Sequence, residues 1–154
     1  TWYKDNVNSK NYKFRQVSRV TYRDGFATNG NHFALCDKHN DPQAVIGYKK
    51  QGETIAIQFI QTTQYKSKQQ NQEFRNIINM HISEFLLCEF IRKFQKNDRK
   101  ILLELDKGTI ATYMIDTIYK PLISRFFKHS SSSKWKEYYE LNLNSERVKT
   151  LLEL

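Results

Sequence analysis

Cys36 and His39 stand three residues apart in a chain of 154 residues, the spacing of half a zinc site. A structural zinc centre takes four ligands in two such short pairs. The other half is missing: His32 falls on the same predicted strand, and His81, Cys88 and His129 are distant. The expectation is a buried cysteine beside an exposed turn histidine, with no metal. Glu104 and Asp106 form a second candidate. Residues two apart in a strand point to one face, so these carboxylates share a face and could hold a divalent cation, although acidic pairs at this spacing arise readily by chance. Ser130–Ser133 supplies hydroxyls without the flanking glycines of a nucleophile elbow. Gly25, Gly30, Gly47, Gly52 and Gly108 are each isolated, which excludes a glycine-rich phosphate loop.

Charge supplies a broader signal. Lys and Arg number 25 against 16 Asp and Glu, a formal net charge of +9. Residues 1–30 hold six basic and two acidic side chains, and residues 61–100 hold eight and four. Basic residues alternate with aromatics at Tyr12-Lys13-Phe14-Arg15, at Arg19-Val20-Thr21-Tyr22-Arg23 and at Lys134-Trp135-Lys136. Aromatics can stack on bases while cations hold phosphates, so Lys13, Arg15, Arg19 and Arg23 are the candidate contacts to a polyanion such as DNA or RNA. A strand aromatic more often faces a core, and a solvated charged surface explains the same excess.

The elements that must position these groups are legible in outline. Val17–Tyr22, His32–Cys36 and Ala44–Tyr48 read as strands, with turns at Asp24-Gly25, Asn29-Gly30-Asn31 and Asn40-Asp41-Pro42. Lys49-Lys50-Gln51-Gly52 reads as the turn into a strand from Thr54 to Ile60. A polar loop follows. Apolar residues recurring at helical spacing predict a first helix over about 73–95, with Glu84, Arg92, Lys93 and Lys96 on its outer side. Ile101–Leu105 is almost continuously apolar, as suits a central strand. A second helix is expected from Ile110 to about Lys128, kinked or restarted near Tyr119 by Pro121. His129–Ser133 reads as a loop, Trp135–Leu143 as a last strand, and a short helix begins at Ser145.

Length and composition fit one domain spanning 1–154, with residues 1–15 an arm or a first strand. The fold class is α+β: a mainly antiparallel central sheet with two principal helices packed on it. No apolar run approaches a membrane span. Two cysteines make no disulfide framework, so free thiols in a reducing compartment, cytoplasmic or nuclear, are expected. The first residue is Thr1, which suits a processed product or part of a larger parent protein.

Between Ala44 and Phe127 the chain resembles the GNAT acetyltransferase superfamily. Val45-Ile46-Gly47-Tyr48 is similar to the end of the family's third strand, and Thr54–Thr63 to its fourth. Ser83-Glu84-Phe85-Leu86-Leu87 resembles the helix after the acetyl-coenzyme A loop, and Leu103-Glu104-Leu105-Asp106 the fifth strand. The family's Arg/Gln-x-x-Gly-x-Gly/Ala turn is not present; His81 and Ser83 stand in its place. The resemblance implies an acyl-CoA-dependent N-acyltransferase-like domain, active or degenerate, acting on an amine acceptor with acetyl-CoA as donor. It further implies that the backbone of Ile60, Gln61 and Thr62 pairs with the pantetheine arm, that Lys66, Lys68 and Asn71 face the phosphates, and that Tyr119 protonates the departing thiolate. The alternatives are a basic nucleic-acid-binding module and a protein-interaction domain.

Overall fold

The computed structural model describes residues 12–22, 25–62, 82–95, 99–107 and 119–152. In chain order the elements are β1 (Tyr12–Thr21), β2 (Ala27–Asp37), β3 (Pro42–Gln51), β4 (Thr54–Thr62), α1 (Ile82–Gln95), β5 (Lys100–Asp106), α2 (Lys120–Phe126), β6 (Phe127–Ser132), β7 (Lys136–Leu141) and α3 (Glu146–Leu152). The strands hydrogen-bond in the order β1-β2-β3-β4-β5-β7-β6. The neighbours β1/β2, β2/β3, β5/β7 and β6/β7 are antiparallel, and β4/β5 is parallel. This is the α+β class expected, with a hairpin, helix, strand, helix, strand succession in the chain. The parallel pair has a topological cause. A tight turn can join only antiparallel strands, whereas parallel neighbours need a long crossover, and here α1 lies in the chain between β4 and β5. None of the described helices is long and apolar enough to cross a membrane.

Chain contacts divide the molecule into two units, residues 1–48 with 60–87 and residues 49–59 with 88–154. In the first, β1, β2 and β3 form a meander. Phe14 stacks on Phe33 at 5.6 Å between ring centroids and meets Phe85 of α1 at 5.4 Å. The reversal from β1 to β2 is closed by Tyr22 N–H donating to the Phe26 carbonyl (2.7 Å) and Gly25 N–H to the Tyr22 carbonyl (2.9 Å). Asn29-Gly30-Asn31, read from sequence as a turn, lies inside β2 instead. The pairing passes from Val17↔His32 to Arg19↔Asn29, so β2 spends one extra residue there. That is a β-bulge, and Gly30 adopts the φ of +126° that accommodates it. The β2–β3 connection is organised by Asp37, whose Oδ1 accepts from the backbone N–H of His39 (2.8 Å) and Asp41 (3.0 Å). Asn40 supplies the left-handed residue at φ 64°.

In the second unit, β3 runs on through Lys49 and Lys50 to Gln51, and the turn is confined to Gly52 and Glu53. The two lysines expected in a turn are therefore strand residues with defined faces. Ile55, Ile57, Ile101, Leu103 and Leu105 are buried. Helix α1 departs from the expected amphipathic picture: Glu84 and Arg92 are buried, and only Lys93 is exposed between Ile82 and Gln95. Arg92 Nη1 donates to Glu89 Oε1 at 3.1 Å, which offsets the cost of burying its charge. Helix α2 carries Pro121 in its first turn, where a missing N–H costs nothing. It ends at Phe126, because Phe127 turns extended (φ −124°, ψ 165°) to enter β6. The serine-rich segment expected as a loop is thus a strand, with Phe127, Lys128 and His129 opposite Leu141, Glu140 and Tyr139. Ser145 Oγ donates to the Arg125 carbonyl at 2.5 Å, and Val148 and Leu151 bury one side of α3. Residues 73–81 and 110–118, assigned to the two helices from sequence, lie outside the described residues.

Candidate functional site

Within the apolar run of β5 the single charged residue is Glu104, and it is 5% exposed. A buried carboxylate needs counter-charge, and two strands supply it. Lys49 Nζ lies 3.2 Å from Glu104 Oε2 and 3.5 Å from Oε1. Lys136 Nζ, from β7, donates to Oε1. Burial pushes the Glu104 carboxyl up, but the hydrogen bonds and charges of Lys136 and Lys49 outweigh it and hold the group below its ordinary range. The same hydrogen bond raises the Lys136 ammonium.

The strand register explains how the three groups meet. Glu104 is opposite Tyr138 and Asp106 is opposite Lys136, so Asp106, Glu104 and Lys136 share one face of β5–β7. On β4, Ala56 pairs with Leu102 on that face. Lys49 stands on β3, which is separated from β5 by β4 in the strand order. Gln58, two residues on from Ala56, is exposed. The parallel β4–β5 register runs from Thr54↔Lys100 to Ile57↔Leu103, while β4 itself runs to Thr62 and β5 to Asp106. Glu104 is the first residue of β5 beyond that register.

The two carboxylates do share a face as the spacing predicts, but lysines rather than further acids surround them. Among the described residues no group of three or more His, Cys, Asp or Glu is placed to hold a metal. Cys36 and Cys88 are buried free thiols, burial raising that of Cys36, and His39 is exposed in its turn.

A second polar cluster stands on the β6–β7 hairpin. Ser132 Oγ donates to Glu137 Oε2 at 2.5 Å, His129 Nε2 lies 2.7 Å from the same oxygen, and Lys107 Nζ lies 3.4 Å from Oε1. Hydrogen bonds from Ser132 and His129, with help from Lys107, bring the Glu137 carboxyl down to about 2. Ser132 Oγ is also 3.3 Å from His129 Nε2. A Ser–His–acid relay uses the two ring nitrogens for different partners. Here hydroxyl and carboxylate both address Nε2, so the cluster ties the hairpin together without activating the serine.

The remaining sequence candidates are distributed as follows. Ile60 is fully buried, so only its backbone could meet a ligand; Gln61 is half-buried, and Thr62 ends β4. Lys66, Lys68 and Asn71 lie outside the described residues, as does Arg23. Tyr119 is buried at the head of α2. Lys13, Arg15 and Arg19 are all exposed on β1, with the register shift falling between Val17 and Arg19. Lys49 and Lys136 were missed. Their signal was a lone acid in an apolar strand, which implies cations somewhere, but the partners are 55 and 32 residues away.

No protein-family model matches the chain, and no curated protein does. Among solved structures it is similar to nourseothricin acetyltransferase, at 10% identity and a TM-score of 0.43, over 84% of this chain and 97% of that one.

Proposed function

We propose that the chain is an acyl-CoA-dependent N-acyltransferase-like domain. The observation that carries the reading is the parallel β4–β5 pair, set in a mostly antiparallel sheet and joined through a chain segment containing α1. Ligands of open sheets with such crossovers sit beyond the carboxyl ends of the parallel strands. The donors suit the cofactor. The backbone of Ile60, Gln61 and Thr62 would run beside the amides of a pantetheine arm, and Lys66, Lys68 and Asn71 would meet its phosphates. Acetyl-CoA supplies the thioester. Bound there, it would offer its carbonyl to the acceptor amine, with the C–N bond forming as the C–S bond breaks, and Tyr119 would protonate the leaving sulfur. Solvent takes the proton released by the amine.

The test is thermal unfolding with acetyl-CoA. Ligand at one hundred times its dissociation constant should add about 2.7 kcal/mol to stability. No shift at millimolar acetyl-CoA would refute the reading. Tyr119→Phe should slow turnover while acetyl-CoA binding stays close to that of the parent chain; equal turnover would remove Tyr119 from the mechanism. A second reading, a nucleic-acid contact along β1, is favoured by the exposure of Lys13, Arg15 and Arg19 on one edge strand of the sheet.

A further inference from the structure

Lys49 and Lys136 do more than neutralise Glu104. Each ammonium carries three N–H donors. Glu104 occupies one of those on Lys136 and at most two on Lys49. The side chains of Lys49 and Lys136 remain 36% and 34% exposed, whereas Glu104 beneath them is 5% exposed. Two partly exposed cations thus share one buried anion, and each ammonium keeps at least one further donor. The trio carries one unit of excess positive charge, which Asp106, acting on Lys136 through its charge, balances on the same face. Pre-positioned donors of this kind bind an oxyanion without first giving up side-chain freedom.

We propose that this pair is a binding site for the carboxylate of a small ligand. The neighbours on the face decide between oxyanions. Gln58 and Tyr138 are neutral, but Asp106 lies two residues along β5 from Glu104 and opposite Lys136. Its charge repels a dianion more strongly than a monoanion, so a carboxylate is favoured over a phosphate dianion. Glu140, farther along the same face of β7, is engaged by Lys100 at 3.8 Å and Lys128 at 3.4 Å. In the acyltransferase reading, on which this last step rests, the acceptor is an amine that also bears a carboxylate, as an amino acid does. Asp106 then faces the amine end.

Two measurements on the full chain separate the site from the reaction. In the first, backbone amide resonances are followed during titration with sodium acetate, against sodium chloride and sodium phosphate at equal ionic strength. Acetate should shift Lys49, Gln58, Glu104 and Lys136 saturably, and more strongly than phosphate. Lys49→Met should abolish the shifts and Lys49→Arg should retain them; Lys49→Met leaves the Lys136–Glu104 contact in place, so the fold is kept. In the second, acetyl transfer to glycine is compared with transfer to glycinamide. The carboxylate should favour glycine about tenfold, the scale of one charge-assisted hydrogen bond, and Lys49→Met should erase the preference. Shifts without transfer would leave the carboxylate site standing and refute the acyltransferase reading. Transfer without preference, or shifts that chloride reproduces, would overturn the proposal.

Discussion

Lys136→Met tests the electrostatics of the buried carboxylate directly. Removing one partner of a fully buried ion pair costs about 3–5 kcal/mol, because the other charge stays behind. Lys136 is 34% exposed and Lys49 remains at 3.2 Å, so water and the second lysine recover part of that. The expected loss at pH 7 is about 1–2 kcal/mol. The pH dependence has a definite sign. In the parent chain the folded Glu104 carboxyl titrates below its ordinary value. It therefore contributes stability above the unfolded value, near 4.3, and that contribution is lost as pH falls through the folded value. Without Lys136 burial weighs more and the folded value moves up. The gap between parent and variant must then shrink from pH 7 to pH 4, since protonated Glu104 needs no lysine. Glu104→Gln in the Lys136→Met background should restore part of the loss at pH 7. Urea unfolding of the three chains across that range is the assay. A loss below about 0.5 kcal/mol, or a gap that stays constant with pH, would refute the argument.

Leu103→Asp should prevent cooperative folding, because Leu103 is fully buried in β5 and an unpaired charge there is costly; a soluble variant with a cooperative melt would refute the placement. Carbon-detected titration of the Glu137 carboxyl should give a midpoint near about 2, so its contribution to the β6–β7 hairpin is present above the unfolded value and fades as pH falls towards that midpoint. A midpoint in the ordinary range would refute the Ser132 and His129 hydrogen bonds. If β1 engages nucleic acid, Arg15→Ala with Arg19→Ala should flatten the log–log salt dependence of binding by roughly one to two units; an unchanged slope would return β1 to a solvated surface.

Much of the fold was legible because burial leaves a period in the sequence. The run Ile101–Leu105 announced an interior strand, and β5 does lie between β4 and β7. The errors share one cause: local polarity was taken for local irregularity. Asn29-Gly30-Asn31 has turn chemistry, yet a bulge inside a strand needs the same glycine. The β6 serines are exposed and lack alternation, yet their backbone is fixed by pairing with the Glu137–Leu141 stretch. Pairing partners are set by topology, and side-chain pattern does not report them when neither face is apolar. Helix α1 failed in the other direction. Glu84 and Arg92 suggested a wet side, but Arg92 is buried beside Glu89, a contact that hydropathy scores as exposure.

The site was legible to a smaller degree, for a related reason. Glu104 could be singled out, because a charge in an apolar strand must be answered by an opposite one. Its placement with Asp106 on one face followed from alternation alone. What answers it depends on the sheet order, in which β7 pairs beside β5 and β3 lies one strand beyond β4. Reading Lys49 and Lys50 as turn residues also hid the face on which Lys49 stands. Once β3 is extended to Gln51, Lys49 becomes a strand residue that joins Lys136 on Glu104. The chemistry then inverts. Two acids on one face suggest a cation site, but two acids and two lysines, with one acid buried and both lysines partly exposed, retain further ammonium donors. Burial of Glu104 is what turns this face from a receptor for metal into a receptor for an anion.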